Sequence, residues 1–181
     1  MAARLADSTG PARVADVGCG SGWAAIELAR AYPHLRIDGF DTYGASITAA
    51  RRNAAESEVS ERVRFDVVDA ASDHGRGATT WCCSPSACMT WPIRSRLWPT
   101  VIVMDERVSD AREVGDPVQL FFATSSVLWC LPQGRVDRDS QAVGTMMTTA
   151  RFRELAEGAG WADVEVLGID HPFWRFYRLV A

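Results

Sequence analysis

The sequence predicts an α/β fold, a doubly wound and mostly parallel sheet that ends in an antiparallel hairpin, and three observations predict it. Short apolar runs alternate with amphipathic stretches along the 181 residues. The first run ends in three glycines at alternate positions, Gly18, Gly20 and Gly22. The next two runs each end in a carboxylate, Asp41 and Asp69, at the sheet edge where open α/β folds bind ligands.

Val14 and Val17 suit a buried first strand over residues 13–17. The glycines let the chain turn sharply with its amides uncovered, and a helix follows near 22–32. Residues 35–40 read as the second strand. Asp41 lies about 20 residues past the glycines, the distance at which a βαβ unit presents an acid to ribose hydroxyls. A helix over 44–56 leads to a third strand near 63–68, with Asp69 at its open end and Asp66 on the opposite face by alternation. Strands near 100–105, 162–169 and 173–180, with helices near 116–129 and 148–160, complete the alternation.

Small departures from the dinucleotide pattern decide which nucleotide fits. An NAD site wants a further glycine in G-x-G-x-x-G, so that a helix packs closely and a pyrophosphate sits on its amides. Here that place holds Trp23. Asp16, just before the glycines, adds negative charge near the helix N-terminus, which suits a cationic ligand such as S-adenosylmethionine better than a pyrophosphate.

With these residues the chain resembles the class I S-adenosylmethionine-dependent methyltransferases, whose first motif Val-Ala-Asp-Val-Gly-Cys-Gly-Ser-Gly, residues 14–22, matches. The resemblance implies their Rossmann-like sheet and the cofactor S-adenosylmethionine. It also implies a cofactor-binding set of Asp16, Gly18, Cys19, Gly20, Gly22, Asp41, Thr42, Asp69 and Ala70. Asp16 and the glycine loop would flank the methionine part, Asp41 the ribose, and Asp69 with Ala70 the adenine edge. Val101 to Glu106 resembles the family's fifth strand and Ala162 to Ala181 its closing hairpin. Trp129-Cys-Leu-Pro132, Gly144-Thr-Met-Met147 and Phe173 to Arg178 resemble a bacterial subgroup whose members often carry a winged-helix-like dimerisation region first, which implies a homodimer for a full-length form.

A net charge of -4 gives no basic patch of the kind that drives binding to a phosphate backbone, so a small-molecule acceptor is expected and nucleic acid is not. No apolar run approaches the ~20 residues of a membrane span. Five cysteines without CxxC pairing read as free thiols in a reducing compartment, hence a cytoplasmic protein without a structural metal, and Cys19 is expected to pack beside the loop. The expected organisation is a single domain over 1–181. Only the few residues from Met1 to Ala12 precede the first strand, where the family usually has covering helices, so the chain reads as lacking an N-terminal region.

Residues 74–99 stand apart. They should supply the family's fourth strand, yet they show no period of either kind and hold three of the five cysteines. An out-of-frame origin accounts for this. Ala78 to Cys83 must be encoded GCN ACN ACN TGG TGY TGY, and dropping two bases permits Tyr-Asp-Leu-Val-Leu, the kind of sequence that strand uses. The same phase permits His-Asp-Met-Ala from Cys88 to Pro92. All 19 basic residues are Arg, which points to GC-rich coding in which out-of-frame stops are rare. The alternative is a divergent insertion or lid. The segment is expected to be the least regular of the chain, with Trp81, Trp91 and Trp98 forming no core layer. Thr80 to Cys83 is the stretch expected to be drawn into the vacant central slot of the sheet, because unpaired neighbouring strands leave buried amides and carbonyls.

No motif marks a catalytic residue, because methyl transfer needs mainly an in-line approach and a base only when the acceptor must lose a proton. The candidates are Asp105 and Glu106 at the end of the fifth strand, and His171 in the hairpin turn. His34 reads as a surface residue. Phe121, Phe122, Trp129, Met146 and Met147 would line an apolar acceptor pocket or else belong to the core. Beside methyl transfer stand two other readings: an NAD(P)-dependent Rossmann oxidoreductase, and an inactive truncated or frame-shifted methyltransferase.

Overall fold

The computed structural model describes residues 12–68, 80–83, 101–111, 115–135 and 146–180. The chain divides into two compact units, one built on residues up to Cys83 and the other on residues from Val101 onward. Together they give the mixed α/β class expected from the sequence, with parallel strands first and an antiparallel hairpin last.

In the first unit, β1 (Arg13–Val17), β2 (Arg36–Asp41), β3 (Val63–Val67) and β4 (Thr80–Cys83) form a parallel sheet in the order β3, β2, β1, β4. Helices α1 (Trp23–Ala31) and α2 (Gly44–Glu56) connect the first three strands. Four of the five β1 residues are buried. Ala25, Ile26 and Ala29 of α1 and Ile47, Ala50 and Ala54 of α2 join Ile37, Val63 and Phe65 in one core, the three-and-four spacing of an apolar helical stripe.

β4 forms from Thr80 to Cys83, the stretch expected to fill the vacant slot of the sheet. Val14 to Val17 pair in parallel register with Thr80 to Cys83, which gives the outer ladder groups of β1 partners. The rest of residues 74–99 lies outside the described residues, as do Met1 to Thr9, Asp69 and Ala70.

In the second unit, β5 (Val101–Glu106) pairs antiparallel with β7 (Trp174–Val180), which pairs with β6 (Asp163–Val166). The hairpin strand β6 is shorter than the 162–169 expected. Helix α3 (Pro117–Ser125) starts with proline behind Asp116, whose Oδ1 accepts the Val118 N–H at 2.8 Å, a cap that satisfies a free helical amide. It continues as a π turn over Ser126–Cys130 and a short α4 (Leu131–Gly134). The widened turn sits just before Pro132, which has no N–H to return to the helix. Helix α5 (Thr149–Gly158) packs Phe152 on Tyr177 of β7, ring centroids 4.2 Å apart. No helix among the described residues is long and apolar enough to cross a membrane.

Candidate functional site

The glycine loop is shaped from below by one ring. Phe65 of β3 is buried, and a Cβ on Gly39 would stand 2.3 Å from its Cδ1, while one on Gly22 would stand 2.5 Å from its Cζ. Gly39 pairs with Phe65 across β2 and β3, so the missing side chain is what lets the ring lie under the loop. Gly18, Gly20 and Gly22 all have positive φ, at 70°, 52° and 82°, the left-handed region that favours glycine. At Gly20 a Cβ would meet nothing within 4 Å, so the loop borders open space there.

The loop amides are not uncovered, which corrects the sequence expectation. Gly18 and Cys19 both donate to the Phe40 carbonyl, at 2.8 and 3.0 Å. Gly20 donates to Asp41 Oδ2 at 2.9 Å, and Gly22 to the Cys19 carbonyl at 2.9 Å. The other oxygen of Asp41 accepts the Tyr43 N–H at 2.8 Å. Asp41 thus ties the end of β2 to the loop, and a nest of free N–H groups for a pyrophosphate is absent at these four amides.

Asp16 is the charged centre of this unit. It is 4% exposed, and its Oδ2 has no hydrogen-bond partner. Burial pushes its carboxyl up to about 7, helped by the nearby Asp41 and opposed by the Ala25 N–H. A buried carboxyl with an unused oxygen asks for a cation or a donor. Cys19 is buried beside the loop as expected, and burial followed by Asp16 and Asp41 pushes its thiol up to about 12, so it is an inert packing residue. Trp23 and Tyr43 are exposed, as is Thr42, which follows β2. Asp66 is engaged away from the loop with Arg51 at 3.1 Å.

Asn53 is a site residue the sequence reading missed. Buried on α2, it donates Nδ2 to the Ser21 carbonyl at 3.0 Å and so pins the loop from behind. The signal was present in the sequence, since Asn53 falls three residues after Ala50 on the stripe that also holds Ile47. Asn53→Leu leaves the Ser21 carbonyl without this donor. Its expected cost is about 1 to 3 kcal/mol of folding stability, read from urea unfolding, and an unchanged midpoint would show that the bond does not hold the loop.

In the second unit, Asp105 is 1% exposed and neither of its oxygens has a hydrogen-bond partner. Burial, then the neighbouring Glu106 carboxyl, push it up to about 9. Its cross-strand neighbour Arg175 donates to Thr149 Oγ1 at 2.7 Å. His171 Nδ1 accepts the Phe173 and Trp174 N–H groups at 3.2 and 3.1 Å, which is a turn-forming role. His34 is half-buried rather than on the surface, with its Nε2 enclosed and its ring edge-on to Tyr32. The five apolar candidates split: Phe122 and Met147 are core, whereas Phe121, Trp129 and Met146 are exposed, so they form no common pocket wall.

A family described as a methyltransferase domain matches residues 14–96. The release factor glutamine methyltransferase of Chlorobaculum tepidum is 43% identical over 72 residues, which is 40% of this chain and 24% of that protein. Among solved structures, the pyocyanin biosynthetic protein PhzM is similar with TM-score 0.71 at 20% identity, over 99% of this chain and 53% of that one. The O-methyltransferase NcsB1 from neocarzinostatin biosynthesis, in complex with S-adenosyl-L-homocysteine and 1,4-dihydroxy-2-naphthoic acid, is similar with TM-score 0.66 at 20% identity, over 93% and 49%. The chain spans a quarter of the curated relative and about half of these solved chains.

Proposed function

We propose that this chain, of which residues 14–96 match a methyltransferase domain and whose fold is similar to that of solved O-methyltransferases, binds S-adenosylmethionine and transfers its methyl group to a small-molecule acceptor. The observation that carries this reading is the buried Asp16 carboxylate, with an unpartnered oxygen beside a glycine loop that borders open space. The residues fit the cofactor on that ground. Asp16 offers a charge partner for an ammonium group, and Gly20 leaves room where any side chain would intrude. Asp41, already fixed by the Gly20 and Tyr43 amides, retains lone pairs for ribose hydroxyls. Bound there, S-adenosylmethionine supplies an electrophilic methyl group on a sulfonium sulfur.

The same geometry disfavours a nicotinamide dinucleotide. Four loop amides already donate within the protein, so a pyrophosphate would find few free donors at the place where dinucleotide folds hold it. A small-molecule acceptor is supported by the neighbour NcsB1, solved with 1,4-dihydroxy-2-naphthoic acid. Within the cofactor set, Asp69 and Ala70 are proposed at the adenine edge from the family motif alone, and Thr42 and Cys19 as loop neighbours. A cytoplasmic setting is proposed from the five cysteines without CxxC pairing alone. A full-length form is proposed to be a homodimer.

Calorimetry with S-adenosylmethionine, its demethylated product and NAD tests the reading. The first two are expected to bind and NAD is not. Asp41→Ala should weaken binding of S-adenosylmethionine by about 1 to 3 kcal/mol through lost charged hydrogen bonds. Tight NAD binding with no response to the methyl donor would overturn the proposal.

A further inference from the structure

The second unit holds a cavity of about 350 Å³ where the closing hairpin meets the carboxyl end of β5, the edge at which open α/β sheets bind ligands. Arg107, Val166, Gly168, Ile169, Trp174 and Arg175 line it. Arg175 is half-buried, and its Nη1 donates to the buried Thr149 Oγ1 at 2.7 Å, which fixes one end of the guanidinium. Its cross-strand neighbour Asp105 is buried with neither oxygen hydrogen-bonded, so it takes none of the remaining N–H groups. Arg107 is held through Nη1, which donates to the His171 carbonyl at 3.0 Å and to Asp170 Oδ1 at 3.2 Å. The Asp170 side chain is 98% exposed, and an ion pair in solvent is weak. The Nε and Nη2 groups of both arginines thus have no acceptor among the described residues. Beside them Val166 and Ile169 are exposed apolar residues and Trp174 is half-buried. A Cβ on Gly168 would meet nothing within 4 Å, so a side chain there would enter open space at the cavity.

We propose that this cavity binds a small organic acid, its carboxylate on the Arg107 and Arg175 guanidiniums and its apolar body against Val166, Ile169 and Trp174. Every residue in it belongs to the second unit, so it stands independently of the cofactor reading. Three features select this class of ligand. A guanidinium holds a carboxylate through two parallel hydrogen bonds, and these two have donors to spare. Apolar residues beside the charges favour an organic body over a bare inorganic anion, and Asp170 at the same cavity repels a multiply charged phosphate. The volume lies at the lower end of small-molecule pockets, which suits a compact ring acid and excludes a nucleotide or a peptide.

Calorimetry of the whole chain with indole-3-carboxylate tests this, with indole-3-carboxamide and inorganic phosphate for comparison. The carboxylate is expected to bind with a Kd below about 1 mM, the neutral amide about tenfold more weakly, and phosphate is expected not to displace it. Arg175→Gln is expected to weaken the carboxylate about tenfold and to leave the amide unchanged, which separates a lost charge from a lost fold. Arg175 also anchors on Thr149, so a second variant decides the case in which Arg175→Gln does not fold. Gly168→Leu adds a side chain where space is open and is expected to weaken both organic probes at an unchanged urea midpoint. No carboxylate binding up to about 10 mM, equal binding of acid and amide, or wild-type binding by Gly168→Leu overturns the proposal. Displacement by phosphate at equal concentration also overturns it, since the site is then one for inorganic anions. No methyl donor is present in any arm, so failure here is distinguishable from failure of cofactor binding.

Discussion

Gly39→Ala is expected to lower folding stability by about 2 to 3 kcal/mol, the upper part of the range for overpacking a core. The added methyl would stand 2.3 Å from Phe65 Cδ1, 2.6 Å from Cε1 and 3.2 Å from Cys19 Sγ. None of these is the free end of a flexible side chain. The ring is enclosed on β3, and the thiol lies beneath the loop, so relief means moving Phe65 toward Gly22 and Ala50, where the space is already taken. Phe65→Leu in the same chain removes the ring edge and is expected to recover about half the loss, a coupling of about 1 kcal/mol or more between touching residues. Urea unfolding of the two single variants and the double variant measures it. Additive losses would show that the ring and the glycine do not share this space.

This coupling marks the boundary of what the sequence makes legible. The alternation of strands and helices, the three glycines and Asp41 can be read in one dimension because each obeys a local rule of period or turn. Phe65 under the loop cannot, since its partners Gly22 and Gly39 come from two other segments. Gly39 in mid-strand was the visible hint, as a glycine there signals close approach. The loop amides were misread for a related reason. Their acceptor, the Phe40 carbonyl, belongs to the neighbouring strand, and a turn signature says nothing about who lies across from it. Helix α3 was legible from its spacing, but spacing alone does not say which face turns inward, and Phe122 lies in the core while the neighbouring Phe121 is exposed. Between Thr80 and Cys83 no residue pattern announced a strand. The pairing there follows from the demand of β1 for a second neighbour, a tertiary requirement that overrides local preference.

Asp16→Asn is expected to produce the largest single change, a gain in the stability of the free protein at neutral pH together with a loss of cofactor affinity. In the folded chain the Asp16 carboxyl is raised from 3.8 to about 7, chiefly by burial. A raised carboxyl binds its proton more tightly in the folded state, so the folded chain is favoured fully below about pH 4 and loses that advantage as pH rises toward 7. At about 1.4 kcal/mol per unit of displacement, ionising Asp16 costs the folded state as much as ~4 kcal/mol above pH 7. Asparagine keeps the shape and cannot ionise. The variant is therefore expected to match wild type near pH 4 and to exceed it increasingly toward pH 8. Asp105, also raised by burial, contributes equally to both proteins and cancels in the difference. Binding should move the other way. A cationic ligand is held best by the ionised carboxylate, so wild-type affinity for S-adenosylmethionine should rise as pH passes through 7. The variant should bind about 2 to 3 kcal/mol more weakly at pH 8 and show a flat profile. Equal pH slopes of stability in the two proteins, or equal affinity at pH 8, would show that Asp16 is not the charge that meets the cofactor.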